Sequence, residues 1–201
     1  MKDLVILVAD KNAEFALKGA IVRHQSLGIR AIDFEVLVHP GRDGGARKTG
    51  PEILARDRHR SRHALLVLDF EGCGTELPNA LSLEEQLDGR LAEHWDRKAK
   101  SIVIEPELDV WIWGSDNAVE GTIQWTEGIR LRDWLKREGH AFDANAKPKR
   151  PKEALEAALR VSSLPRSSAL YRKVAQNISL RRCVDPAYIR LHNQLLSWFS
   201  V

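Results

Sequence analysis

Acidic residues stand directly after three short apolar segments of the chain. The segments are "LVILVA", "LLVL" and "SIVI", and each ends at one or more carboxylates. An aliphatic run of this length is typical of a buried strand. Because the carboxyl ends of parallel strands share one edge of a sheet, we expect these acids to lie close together. In chain order they are Asp10, Glu14 one helical turn later, Asp69, Glu71, Glu105, Glu107 and Asp109.

Asp69 and Glu71 have the spacing of two side chains on one face of a strand. They can aim two carboxylates at one point, and Glu105 can join them from the next strand end. Carboxylate oxygens are the ligands that Mg²⁺ prefers, so the pattern predicts a site for Mg²⁺, or alternatively Mn²⁺. Each acid also has a local explanation. Asp10 can cap a helix, Glu71 can begin a solvated loop, and a neighbouring arginine can hold Glu105.

The remaining pattern predicts the elements that would position these acids. Strand, helix and strand alternate from Leu4 to Pro106, with "AIDFEVLVHP" as a further strand, which is typical of an α/β fold. We therefore expect a mainly parallel sheet of about four strands with flanking helices. "LSLEEQLDGRLAEHW" is predicted as a helix that Ser82 and Glu85 begin as a capping box.

After Gly114 no long aliphatic run recurs, and the pattern becomes helical. Four further helices are predicted, in "IRLRDWLKREG", "PKEALEAALR", "SALYRKVAQ" and "PAYIRLHNQLLSWF". "DANAKPKRP" has the composition of a linker between two of them. The chain thus divides into an α/β core, residues 1–114, and a C-terminal helical region, residues 115–201, packed on that core.

Basic residues are concentrated in a few segments, although the net charge is only +3. "GRDGGARKTG" is predicted to be a flexible loop because of its glycines, with a short basic helix starting at Pro51. Arg42, Arg47 and Lys48 in this loop are candidates for contacts with the phosphates of a nucleic acid. The alternative for each basic run, as for each acidic one, is a solvated helix face.

Several protein classes are disfavoured by the sequence. It has no apolar run long enough to span a bilayer, and its first segment lacks the features of a signal peptide. Cys73 and Cys183 lie far apart and form no metal-binding motif, so reduced thiols in the cytoplasm are expected. There is no Walker loop, no dinucleotide fingerprint and no Gly-x-Ser-x-Gly motif.

Three blocks of the sequence, "VADKNAEFAL", "LLVLDFEGCG" and "IEPELDVWIWG", carry a resemblance to a known family. In order and spacing they resemble a Toprim-like family of bacterial proteins of unassigned function from anti-phage defence loci. The chain is also similar to a small component of methylation-associated defence systems. The likeness runs from Leu4 to Gly114, with weaker agreement in the C-terminal helices.

The resemblance implies roles for particular residues. Asp69 matches the first Asp of the Toprim Asp-x-Asp pair, and Glu71 replaces the second. Glu14 matches another acidic position, while Glu105, Glu107 or Asp109 belongs to the third block. In nucleases and topoisomerases of that fold these acids bind Mg²⁺ and assist phosphoryl transfer. The first block departs from the family, because Ala9-Asp10 stands where Glu-Gly is usual, which removes the family's general acid/base.

Three functional hypotheses follow. The first is a Mg²⁺-dependent nuclease in which Asp69 and Glu71 hold the metal and Asp10 or Glu14 completes the site. The second is a non-catalytic Toprim-like subunit of a multi-protein defence complex, with other proteins of that system as partners. The third is a nucleic-acid sensor that binds through the basic segments. The residue at position 9 separates the first two, since an acid there would favour the enzyme.

Overall fold

A computed structural model describes residues 1–178 and 183–200 and shows an α/β fold. Four parallel strands form one sheet in the order β2-β1-β3-β4. Val8 at the end of β1 pairs with both Val38 and Val67, so the carboxyl ends of three strands are level. The predicted parallel sheet with flanking helices is confirmed. The strands are β1 (Lys2–Val8), β2 (Phe34–Val38), β3 (Ser61–Asp69) and β4 (Ala99–Ile104).

Helices cover both faces of the sheet and make up the second half of the chain. The four C-terminal helices expected from the sequence are all present. Their bounds, with those of the other helices, are α1 (Lys11–Ile21), α2 (His24–Leu27), α3 (Arg42–Ala55), α4 (Ala80–Trp95), α5 (Asp109–Ile112), α6 (Asp116–Ile123), α7 (Leu131–Arg137), α8 (Pro151–Val161), α9 (Ser168–Asn177) and α10 (Pro186–Phe199).

The apolar strands are buried on both faces, which explains why they read as continuous runs. Leu4, Ile6 and Val8 of β1 face one cluster, which also contains side chains from α1 and from the C-terminal helices. Val5 and Leu7 face a second cluster, built with α3 and α4. The C-terminal helices therefore pack on the same face of the sheet as α1.

The segment predicted as a glycine-rich loop is a helix, so that prediction was wrong. α3 runs without a break from Arg42 to Ala55 and contains Pro51. Proline has no backbone N–H and leaves the carbonyl four residues earlier without its helical donor. Here that carbonyl belongs to Arg47, and it accepts a hydrogen bond of 2.8 Å from the Arg90 guanidinium of α4. Gly50 lets the helix approach the sheet, since a Cβ there would lie 2.8 Å from the Leu66 side chain.

The start of α4 also differs from its prediction. Asn79, not Ser82, is the N-cap, and its side-chain oxygen accepts the Ser82 backbone N–H at 2.9 Å. Two acids of the same helix accept from the outer edge of β4. The backbone N–H of Val103 donates to Glu84, and that of Ser101 donates to Asp88, both at 2.7 Å. These bonds occupy donors that a further strand would otherwise pair with.

None of the helices within residues 1–178 and 183–200 has the length and apolar character needed to cross a membrane.

Candidate functional site

A cleft of about 1290 Å³ lies at the carboxyl edge of the sheet. Its floor is formed by the residues that follow β1 and β3 and by the segment after β4. One wall is the turn from β2 into α3, and the opposite wall is the segment 149–153 with Arg166. The cleft therefore joins the α/β core to the C-terminal helical region. Its size exceeds that of most small-molecule pockets.

Asp69 lies at the centre of the cleft, at the end of β3. Its carboxylate accepts the backbone N–H of Leu108 at 2.9 Å, and its own backbone N–H donates to Asp43 at 2.8 Å. Loss of solvent raises the pKa of Asp69 well above its usual range, and the charges of Asp43, Asp10 and Glu107 raise it further. Asp69 is thus surrounded by other acids and holds a proton more strongly than an ordinary aspartate.

Glu107 and Asp109 bring the third acidic block into the cleft. Burial raises the pKa of Glu107 to about 7, and the nearby charge of Asp109 adds to this effect. Asp109 is buried, and its two carboxylate oxygens accept hydrogen bonds of 2.8 Å from Tyr171 and Arg166. Asp109 is therefore neutralised within the protein, whereas Glu107 has no ion-pair partner among the described residues.

The acids assigned to the first block have local partners. Asp10 lines the cleft and is also the N-cap of α1, accepting the Ala13 N–H at 2.9 Å. Glu14 does not line the cleft, and its carboxylate is bonded to Lys18 at 2.5 Å. Ala9 lines the cleft but is 4% exposed and packs in the cluster beneath α3 and α4. Ala9 follows β1 directly and contributes only a methyl group to the cleft.

The other two predicted metal ligands are separated by the structure. Glu71 lines the cleft and is exposed. Glu105 points to the start of α4, where its carboxylate accepts the backbone N–H of Ala80 at 3.1 Å, and it does not line the cleft. The segment after β4 thus contributes Glu107 where the sequence suggested Glu105.

Of the predicted nucleic-acid-binding residues, only Arg42 lines the cleft. Arg47 donates from its Nε to the Cys73 carbonyl at 2.8 Å, a bond that joins α3 to the loop after β3. Lys48 is exposed on α3, outside the cleft. The change from loop to helix explains this separation, because α3 runs back from the carboxyl edge along the sheet.

Sequence reasoning missed Asp43 and the side chain that positions it. His39 follows β2 and is 7% exposed. Its Nδ1 accepts the Gly41 N–H and its Nε2 bonds to Thr49, both at 2.9 Å, so it ties the turn to the middle of α3. Asp43 stands in the first turn of that helix. Four residues separate Asp43 from the end of β2, so it does not follow an apolar segment directly as Asp10 and Asp69 do.

The donor set fits a hard divalent cation in its chemistry, because every acid lining the cleft offers carboxylate oxygens. Within the described part of the chain, however, no three acids, histidines or cysteines are grouped closely enough to hold a metal ion. The carboxylates surround the cleft without forming a ready coordination shell. Binding of a cation would require side-chain movement, and it would be opposed by the raised pKa values of Asp69 and Glu107, because ligating carboxyls must be deprotonated.

Comparisons of the chain with protein-family models, with curated proteins and with solved structures produced no match. The Toprim-like resemblance thus depends on the three sequence blocks, and the functional argument depends on the cleft.

Proposed function

We propose that the protein is a Toprim-like, defence-associated nuclease that uses Mg²⁺, or alternatively Mn²⁺, to cleave nucleic-acid phosphodiesters. The observation that carries this proposal is the charge arrangement of the cleft. Carboxylates form its floor at the sheet edge, and Lys11, Arg42, Lys149, Lys152 and Arg166 lie around them.

The two kinds of charge support a substrate that binds together with a cation. A phosphate group would be repelled by the acids alone, and the surrounding cations would attract it. Asp69 and Glu71 are the side chains that would hold the metal. When bound, Mg²⁺ supplies charge stabilisation at the phosphoryl group and orients the attacking water. The size of the cleft favours a segment of polymer over a single nucleotide.

Glu107 is the candidate for proton transfer, since Ala9 cannot serve. A pKa of about 7 lets a carboxyl group exchange a proton efficiently at neutral pH. Its side chain lies in the cleft beside Asp69, whose pKa its charge helps to raise. The proposed division of roles therefore differs from the family pattern, with the acid/base group in the third block.

The proposal is tested by incubating the protein with single-stranded and duplex DNA and with RNA, with Mg²⁺, Mn²⁺ or EDTA. We expect cleavage that requires the metal and falls at least about 100-fold in Asp69→Asn, because even residues that only support a metal ligand are worth 10–100-fold. Asp96→Asn is the matched control, since Asp96 is exposed at the other end of the sheet. Equal activity in the two variants would reject Asp69 as a ligand.

A second candidate, the non-catalytic subunit of a defence complex, is favoured by a specific observation. Ala9 fills the family's acidic position with a buried methyl group, and the described residues contain no preformed three-ligand group. This candidate predicts no cleavage with any metal and stable co-purification with other proteins of the same system. The thermal stability of the protein would then not change with Mg²⁺ or Mn²⁺.

The proposal includes a cytoplasmic location. Cys73 and Cys183 are both free thiols, which fits a reducing compartment.

A further inference from the structure

The segment from Asp143 to Pro151, which has the composition of a linker and leads into α8, is fixed by internal hydrogen bonds. The Asp143 carboxylate accepts the backbone N–H of Asn145 at 2.9 Å and that of Lys147 at 2.8 Å. The N–H of Asp143 in turn donates to the Lys147 carbonyl at 2.8 Å. Phe142 and Pro148 form an isolated bridge across the turn. A flexible linker would have none of these bonds.

A buried ion pair anchors this segment to the C-terminal helices. The Lys147 side chain is 5% exposed and lies 3.5 Å from the Asp185 carboxylate, which is 4% exposed. Asp185 also accepts the Trp111 indole N–H at 2.9 Å and caps α10 through the Tyr188 N–H at 3.1 Å. A lysine is rarely buried to this extent unless it is paired, so the contact has a positional purpose.

The anchored segment places two cations at the cleft. Lys149 and Lys152 both line it, and neither forms an ion pair with a carboxylate of the described chain. Lys152 lines the cleft together with Glu107 and Asp109; burial raises the pKa values of these two acids, and the charge of Lys152 opposes that rise. Pro151, which lies between Lys149 and Lys152 in the chain, is fixed by a hydrogen bond of 3.0 Å from the Trp113 indole to its carbonyl.

From this geometry we propose that Lys149 and Lys152 bind the phosphates of a nucleic-acid backbone at the cleft, and that Lys147 is the residue that positions them. This inference rests on the proposed function for its substrate class. It does not depend on catalysis, because two ammonium groups can hold a phosphodiester in the absence of metal. It differs from the sequence expectation, in which Arg42, Arg47 and Lys48 made these contacts.

The test measures binding in EDTA with a fluorescein-labelled single-stranded DNA, followed by anisotropy over a range of salt concentrations. We expect Lys149→Ala/Lys152→Ala to bind at least about tenfold more weakly than wild type. The slope of log affinity against log salt should become shallower by about 1.4, since each phosphate contact contributes about 0.7 on a single strand. A labelled duplex and inorganic phosphate are the second and third probes.

Arg97→Ala/Lys98→Ala is the matched control. It removes the same charge from two exposed side chains beyond α4, at the opposite end of the sheet. If the two double variants lose affinity equally, the effect is one of overall charge and the proposal is wrong. Absence of DNA binding by the wild type would also overturn it, as would binding of inorganic phosphate as tight as that of DNA.

The role of Lys147 needs a separate measurement, because Lys147→Met leaves the Asp185 carboxylate buried and unpaired. We expect Lys147→Met to weaken DNA binding and to make the salt slope shallower. Binding is measured at a temperature well below the melting temperature of the variant. Lys147→Met/Asp185→Asn removes the unpaired charge and keeps an acceptor for Trp111 and Tyr188. In the double variant the melting temperature should recover while the salt slope stays shallow, since the Lys147–Asp185 ion pair is still absent. Recovery of both the melting temperature and the salt slope would show that Lys147 is only structural.

Cleavage measurements on the same variants separate this inference from the proposed function. Loss of binding in Lys149→Ala/Lys152→Ala with no cleavage by the wild type would support the phosphate contacts and reject the nuclease. Metal-dependent cleavage that is unaffected by the two substitutions would support the nuclease and reject the contacts.

Discussion

The two ends of the sheet differ in their acidic residues. The cleft at the carboxyl edge has acids on its floor, whereas a pocket of about 460 Å³ at the amino edge is lined by Arg58, Arg62, Lys98 and three histidines. Because all four strands are parallel, the chain that connects them must return from the first edge to the second, and α1, α3 and α4 make these returns. The positive ends of these three helix dipoles therefore point to the carboxyl edge and the negative ends to the amino edge.

Helix dipoles account for much of this asymmetry. Asp10 caps α1, and Asp43 stands in the first turn of α3. At the other edge, Arg58 follows the end of α3, and Lys98 follows the end of α4. A charge near a helix end contributes about 0.3–1 kcal/mol when it complements the dipole. The dipoles thus account for the placement of Asp10, Arg58 and Lys98, whereas burial raises the pKa of Asp43 and offsets what it gains from the helix.

Asp69 and Glu107 are not explained in this way. Asp69 is the last residue of a strand, Glu107 precedes α5, and both have a pKa raised by burial. In the absence of a cation each destabilises the fold at neutral pH, since the folded state resists loss of their protons. Burial also raises the pKa values of Asp43 and Asp109, and such a cluster of perturbed carboxyl groups in a cleft is typical of a functional site.

Asp69→Asn gives the largest expected effect and acts in opposite directions on activity and stability. Cleavage should fall at least about 100-fold, because even residues that support a metal ligand contribute 10–100-fold. The melting temperature in EDTA at neutral pH should rise, because the amide oxygen can still accept the Leu108 N–H and no charge is buried. Thermal unfolding in EDTA measures the rise in melting temperature. Repeating it with Mg²⁺ measures whether the metal still stabilises the variant.

Asp96→Asn serves as the comparison at the amino edge and should change neither quantity. A lower melting temperature for Asp69→Asn in EDTA would show that the ionised carboxylate stabilises the fold, and would remove the contrast between the edges.

The floor of the cleft was predictable from the sequence, and much of its wall was not. Asp69 and Glu71 follow a run that could only be a buried strand, so their position at the sheet edge followed from parallel topology. Glu105 failed to join them because it reaches the start of α4 instead. The order of acids after a strand does not determine which side chain enters the cleft.

The α3 region shows why local composition misled. Three glycines and a proline are typical of a loop, yet here the glycines permit close contacts with His39 and Leu66. The break that Pro51 would cause is compensated by Arg90, which comes from a helix almost forty residues further along the chain. Such long-range compensation leaves no local signal, and the same is true of the Lys147–Asp185 pair.

Gly45→Ala tests how firmly His39 holds the wall that carries Asp43. A Cβ at this position would lie 2.4 Å from Cε1 of the His39 ring, which two hydrogen bonds keep in place. We expect a loss of about 1–3 kcal/mol in the free energy of unfolding, typical of overpacking. Chemical denaturation of the variant measures it.

Gly89→Ala is the control for the helical glycine itself. Gly89 is an exposed residue of α4, and nothing lies within 4 Å of a Cβ added there. Alanine should stabilise this helix by about 0.5–1 kcal/mol. If Gly45→Ala were also stabilising, the His39 ring would be free to move, and the wall would be less rigid than the hydrogen bonds indicate.

The raised pKa of Glu107, at the carboxyl edge, predicts that the free energy of unfolding falls as the pH of the solution rises. Its pKa is about 7 in the folded protein, above the ordinary value of 4.5, so the unfolded chain loses this proton first. Between these values the folded state binds more protons, and the free energy of unfolding decreases with pH. Allowing for solvent screening of a partly exposed group, we expect a contribution of about 1 kcal/mol. Denaturation in EDTA from pH 4 to pH 8, for wild type and Glu107→Gln, measures it as the difference in slope, and parallel profiles would contradict it.

Asp3 predicts a smaller change of opposite sign at the amino edge, where β1 begins. Hydrogen bonds from Arg30, 2.7 Å and 3.1 Å long, lower the pKa of Asp3 from 3.8 to about 2. The stability from this contact is present above pH 3.8 and is lost as the pH falls towards 2. Because the pair is exposed, Asp3→Asn should lower the melting temperature at neutral pH by no more than about 3 °C and make no difference at pH 2. Above pH 7 Asp3→Asn should therefore lower the stability and Glu107→Gln should raise it, so one carboxyl adds stability at the amino edge and the other costs stability at the carboxyl edge. A profile for Asp3→Asn parallel to that of wild type would show that the Arg30 contact contributes nothing.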